Sequence, residues 1–121
     1  MWLICYTGAR MDQFNIEIYQ EAAGKYPFLI WENKLSEEVR AIVTSRLARV
    51  RLGNFGDCKS FEGINELRIH YGPGYRVYFG RRGSSIVILL CGGNKSTQKK
   101  EIKKAKLFWK DYLCEQQRRK K

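Results

Sequence analysis

At 121 residues, with 44% apolar and 13% aromatic side chains, the chain is long enough for one hydrophobic core and too rich in large apolar residues to stay disordered. Its formal charge of +11 points to a polyanionic partner. The longest purely apolar run, Ile86 to Cys91, is far too short to span a bilayer. The amino end, from Met1 to Tyr6, lacks a basic lead-in and a long apolar core, so neither a signal peptide nor a membrane location is expected, and a cytoplasmic one is. Met11 is an alternative natural start to Met1. Phe14, Ile16 and Ile18 alternate with polar neighbours and predict a half-buried strand. A connector from Glu21 to Lys25 follows, and Pro27 suits the first position of a short helix carrying Phe28, Trp31 and Leu35. Ser36 reads as the cap of a second helix, with Glu37 and Glu38 in its first turn. Its stripe is Val39, Ile42, Val43, Leu47 and Val50, and Gly53 ends it. Arg40, Arg46, Arg49 and Arg51 lie off that stripe and read as a solvated face. Asn54 to Ser60 reads as a loop.

From Glu66 to Lys95, short β-favouring runs alternate with Gly/Pro clusters, which predicts a three-stranded antiparallel meander. A three-residue loop, Gly72 to Gly74, pairs Tyr71 with Tyr75, Ile69 with Val77 and Leu67 with Phe79. It sets His70 opposite Arg76 and Arg68 opposite Tyr78, so one face is apolar and the other carries those four polar side chains. Ser96 or Thr97 then caps a last helix running to about Gln117. Its stripe is Ile102, Ala105, Trp109 and Tyr112, with Lys99, Lys103, Lys106 and Lys110 on another side. Arg118 to Lys121 is a basic tail expected to fray.

The order implies a single α+β domain over 1–121, with its core at about 11–117. The expected fold is a four-stranded, mainly antiparallel sheet, an N-terminal helical hairpin on one face and a C-terminal basic helix. The polar sheet face is then expected to look at water or at a ligand. Charge is uneven: residues 1–60 carry 8 basic and 7 acidic side chains, whereas residues 94–121 carry 11 and 3. With no apolar anchor beside the charge, nucleic acid is favoured over membrane, and an acidic protein fits equally well. The four cysteines are scattered, without a C-x-x-C pair and with one histidine in the chain, so no metal site, disulfide framework or cofactor is expected. Cys91 reads as an inert core residue.

Glu-Leu-Arg-Ile at 66–69, Gly-Pro-Gly-Tyr-Arg-Val-Tyr-Phe at 72–79 and Leu-Cys-Gly-Gly-Asn-Lys-Ser at 90–96 closely resemble the RelE/ParE toxin superfamily, nearest to its HigB-like addiction module killer proteins. The resemblance covers about Asn15 to Tyr112. It implies the toxin of a type II toxin–antitoxin pair, neutralised by a small cognate antitoxin through which operator DNA is reached. RelE-type members cut messenger RNA on the ribosome without a metal, holding phosphates with basic residues on the sheet face and near the last helix. The family's Tyr-Arg falls on Tyr75-Arg76, the basic residue of the preceding strand on Arg68, and the one after the last strand on Lys95. Some RelE enzymes carry a catalytic tyrosine in the final helix; the slot near Glu101 or Ile102 holds none, which leaves the acid–base pair open.

Such cleavage needs a base at the 2′-oxygen, cations on the phosphorane and a proton for the leaving 5′-oxygen. Arg68 and Arg76 are the candidate phosphate clamps. His70 is the candidate base or acid, with Tyr78 as its substitute. Lys95 and Lys99 add cations at the helix amino end, and Arg81 and Arg82 are candidates for steering RNA. Two other classes fit the same outline: a ParE-like DNA gyrase inhibitor, and a non-catalytic domain that holds antitoxin and operator DNA.

Overall fold

In the computed structural model, which describes residues 13–119, the elements are β1 (Asn15–Ile18), α1 (Pro27–Asn33), α2 (Glu37–Arg51), β2 (Cys58–Phe61), β3 (Ile64–Ile69), β4 (Tyr75–Arg82), β5 (Ile86–Asn94) and α3 (Gln98–Arg119), with a 3₁₀ turn at Lys95–Thr97. The choice between Met1 and Met11 and the last two lysines of the tail lie outside the described residues. The α+β class holds, but the sheet has five strands in the order β1-β5-β4-β3-β2, with β1 parallel to β5 and every other pair antiparallel. The added strand is β2, expected to be mostly loop. It is an edge strand of four residues, joined to β3 by Glu62-Gly63. Both loop residues have positive φ, 44° and 96°, the backbone of a two-residue hairpin turn whose twist matches its strands.

The helical hairpin forms as read. Ser36 accepts a hydrogen bond from the Val39 amide, and Gly53, at φ 91°, ends α2 while its amide donates to Val50 O. The stripes of α1 and α2 bury Phe28, Val39, Val43 and Val50 against Leu67, Ile69, Val77, Phe79, Val87 and Leu89 of the sheet.

The meander register differs from expectation by two residues. Ile69 pairs with Tyr75, Arg68 with Arg76, Leu67 with Val77 and Glu66 with Tyr78. An even shift leaves every side chain on its own face, so the apolar/polar division survives while the partners change. The loop is longer because Tyr71 N bonds Ile69 O and Gly74 N bonds Tyr71 O, with Gly72 and Gly74 at φ 54° and 84°. His70, expected opposite Arg76, therefore leaves the ladder and enters the turn.

The second sheet face is covered, not open. α3 lays Ala105 and Tyr112 on Ile64, Tyr78, Ile88, Leu90 and Cys91, building a second core. A bulge in β5 opposite Tyr78/Phe79 turns both Leu90 and Cys91 toward this helix. Gly80 admits the close approach: a Cβ there would lie 2.3 Å from the Trp109 ring. The cap is Asn94, not Ser96 or Thr97, and it caps the 3₁₀ turn that leads into α3. Its side chain accepts from the Ser96 and Thr97 amides, while the Thr97 hydroxyl accepts from Asn94 N. At the other end α3 continues through Arg118 and Arg119, where a frayed tail was expected. Among the described residues no helix is long and apolar enough to cross a membrane.

Candidate active site: an arginine pair on a buried glutamate

Arg68 and Arg76 stand directly opposite each other on β3 and β4. Two like charges in that relation repel, so the pairing needs a counter-charge. Glu66 supplies it. Two residues before Arg68 on the same face, it is wholly buried. Its Oε1 accepts from Arg68 Nε at 2.8 Å, and its Oε2 from Tyr78 OH at 2.9 Å, Gln98 Nε2 at 3.0 Å and Arg76 Nη1 at 3.4 Å. Burial alone would push the carboxyl pKa up, but the donors from Arg68, Tyr78 and Gln98, with the charge of Arg76, outweigh it and hold Glu66 below the usual carboxylate range.

Tyr78 is fully buried, and its phenol is pushed far above its ordinary value by burial and then by the Glu66 carboxylate. It therefore remains a hydrogen-bond donor at neutral pH. Gln98, the first residue of α3, fastens that helix to the same carboxylate. Arg76 is the more enclosed of the two arginines, with its side chain 11% exposed against 27% for Arg68. Each keeps N–H donors not spent on Glu66, in the planar fork that suits phosphate oxygens.

Around this cluster the other candidates separate into near and far. The Lys95 amide bonds Gly74 O at 3.0 Å, which sets this exposed lysine beside the β3–β4 turn. Lys99, also exposed, follows in the first turn of α3. His70, at the other edge of Arg68, has Nε2 2.5 Å from Asp57 Oδ2, and Asp57 O accepts from Arg68 N at 2.9 Å. The hydrogen bond from His70 leads the effects that lower the Asp57 pKa.

Arg81 and Arg82 are elsewhere. They occupy the far end of β4, about 17 and 20 Å along the strand from Arg76 at ~3.3 Å per strand residue. Arg81 lies over the rings of Phe14 and Phe55, at 5.0 and 4.8 Å. Arg82 Nη1 donates to Tyr112 OH at 2.6 Å and to Gln116 Oε1 at 2.8 Å, under the last turns of α3. The structure thus gathers Arg68, Arg76 and Tyr78 on Glu66, places Lys95, Lys99 and His70 at the margins, and leaves Arg81 and Arg82 apart.

Sequence reasoning missed Glu66, Gln98 and Asp57. Strand alternation places Glu66 on the face of Arg68, so that signal was readable. The other two arrive through long-range packing and had none. Among the described residues no three His, Cys, Asp or Glu side chains converge as metal ligands would. Chemically the arrangement is an anion clamp: cations fixed from behind by a buried carboxylate, with one titratable imidazole at the edge.

The family model described as phage derived protein Gp49-like (DUF891) matches residues 31–110, a span that holds Glu66, Arg68, His70, Arg76, Tyr78 and Gln98. An uncharacterized protein of Haemophilus influenzae (strain ATCC 51907 / DSM 11121 / KW20 / Rd) is 53% identical over 80 residues, covering 64% of this chain and 81% of that relative. The chain belongs to the phage-derived Gp49-like family, a RelE/HigB-like toxin family.

Proposed function

We propose that this protein is the toxin of a type II toxin–antitoxin pair, that its 121 residues form one catalytic domain, and that it arrests translation in the cytoplasm by cutting messenger RNA on the ribosome without a metal. One observation carries the proposal: Glu66 fixes two arginines at the turn end of the interior strands β3 and β4, with Lys95 and the amino end of α3 on one side and His70 on the other.

In the proposed step the 2′-hydroxyl attacks the adjacent phosphorus and gives up its proton to a base. The bond to the 5′-oxygen breaks and that oxygen takes up a proton. The products are a 2′,3′-cyclic phosphate and a 5′-hydroxyl. Arg76 and Arg68 neutralise the charge that develops on the phosphorane oxygens. Lys95 and Lys99 hold flanking phosphates. His70 is the proton carrier, because it is the exposed imidazole beside Arg68, held at the edge of the site by Asp57. Tyr78 and Gln98 act through Glu66 by keeping the arginines in place. A cognate antitoxin, with operator DNA reached through it, completes the system, and the basic outer side of α3 is where an acidic antitoxin segment would be drawn.

The test is cleavage of a programmed message on 70S ribosomes, run beside a DNA gyrase supercoiling assay. Arg76→Ala and Arg68→Ala should each lose on the order of 10²–10³-fold in rate. His70→Gln should lose ~10²–10⁴-fold. Blocked supercoiling with intact messages overturns the proposal in favour of a gyrase inhibitor, and silence in both assays leaves a binding domain.

A further inference from the structure

At the turn end of β3, and lined in part by Arg68 and His70, a cleft of about 450 Å³ opens between α2 and the β3–β4 turn, on the sheet face opposite the one that carries the Arg68 and Arg76 side chains. Its other polar walls include Arg46, Arg49, Asp57 and Tyr71. The sequence places Arg46 and Arg49 on a solvated helix face, and for Arg46 the structure disagrees. Its side chain is half-buried, and Nη2 donates to Phe55 O and Arg68 O, both at 3.2 Å, so the guanidinium is pinned across the cleft wall. Gly56, at φ 60°, leaves room for it: a Cβ there would come within 3.0 Å of both terminal nitrogens.

The cleft is also cationic. Arg46 has its pKa lowered by burial and then by the neighbouring charge of Arg49, so the two cations are held within each other's field. Among the described residues neither forms an ion pair with a carboxylate. The acid in the wall, Asp57, is engaged by His70. At the rim Tyr71 keeps 39% of its surface exposed, an aromatic face beside a positive groove. That pairing is what single-stranded RNA uses: phosphates on cations, unstacked bases on rings. The volume lies within the range of about 300–1,000 Å³ usual for small-ligand sites and suits one nucleotide.

We propose that this cleft is a second RNA subsite, which binds a phosphodiester next to the one being cut at Arg49 and Arg46 and stacks its base on Tyr71. The inference rests on the ribonuclease reading, and the substrate it names is a single strand that runs past His70 onto α2.

Arg49→Ala is the variant of choice, because Arg49 is exposed and holds no backbone carbonyl, whereas Arg46 does. Two readouts are used with the full chain: kcat and KM for message cleavage on programmed ribosomes, and anisotropy of a labelled six-nucleotide RNA, 2′-deoxy at the cut position, across a salt series. Arg49→Ala should raise KM and weaken oligonucleotide binding about 10-fold with kcat unchanged, and should lower the salt slope by ~0.7, the loss of one single-strand phosphate contact. Tyr71→Ala should weaken binding of the same oligonucleotide by about 5–100-fold, as lost stacking does. Arg49→Ala and Tyr71→Ala with wild-type KM, affinity and salt slope, while Arg76→Ala abolishes cleavage, overturns the subsite and leaves the ribonuclease standing. Weakened RNA binding in both variants of a protein that cuts no message supports the subsite and overturns the ribonuclease. Absence of RNA binding by the unaltered protein overturns the subsite outright.

Discussion

Glu66→Gln tests the arrangement at its centre. The glutamine keeps the volume but removes the charge, and it replaces one acceptor oxygen by an NH₂ group. With the carbonyl kept at the Oε2 position, where Arg76, Tyr78 and Gln98 already donate, Arg68 meets the new NH₂ head-on. Arg68 and Arg76, opposite each other, are left without their counter-charge. Removing one partner of a buried ion pair typically costs ~3–5 kcal/mol. Water reaches part of Arg68, whose side chain is 27% exposed. The cost here is therefore ~2–3 kcal/mol. For a chain of this length that is about 10 °C in Tm, at ~3–5 °C per kcal/mol.

The pH dependence follows from the depressed Glu66 pKa. A carboxylate held below its unfolded value stabilises the fold fully above that value, near 4.5, and loses the contribution as pH falls through the folded pKa. The gap in Tm between the protein and Glu66→Gln should therefore be constant from pH 6 to 8 and shrink below about 4.5. Calorimetry of both proteins over this range is the assay, with message cleavage expected to fall ~10²-fold at neutral pH as the arginines lose their anchor. A variant that melts within 2 °C of the parent at pH 7 would show that the Glu66 charge does not hold the two arginines.

Tyr78→Phe removes one donor from Glu66 and should cost ~1 kcal/mol in denaturant titration while cleavage stays within about 10-fold of the parent. A loss beyond 10²-fold would place the phenol in the chemistry, against its complete burial. Gly80→Ala puts a methyl 2.3 Å from the Trp109 ring and should destabilise by ~1–3 kcal/mol with a shifted tryptophan emission. An unperturbed melt and spectrum would show that α3 packs less closely than described.

The meander faces were legible because strand alternation has a period of two and an error of two residues conserves it; the loop length was not, since Gly72, Pro73 and Gly74 fit more than one turn. Helix α2 was legible to its caps, where Ser36 and Gly53 act within one turn of chain. β2 was missed because a four-residue edge strand with Lys59 and Ser60 has no periodic signal, and its turn, Glu62-Gly63, departs from the usual Asn-Gly. The covering of the polar face by α3 followed from information already present. The stripe Ile102/Ala105/Trp109/Tyr112 needed an apolar partner, and Gly80 and Gly93, each too close to the α3 side for a Cβ, were hints of where it would sit. Of the site, the two arginines and Lys95 could be read from short-range pattern and resemblance. Gln98 and Asp57 could not, because each reaches its partner across 32 and 13 residues of sequence.

The most direct measurement is the chemistry of the cut. Messages recovered from 70S ribosomes after exposure to the protein should carry new 5′-hydroxyl ends and matching 2′,3′-cyclic phosphates. Their yield should drop on the order of 10²–10³-fold with Arg76→Ala. Messages that stay intact while DNA gyrase loses its supercoiling activity would contradict the account.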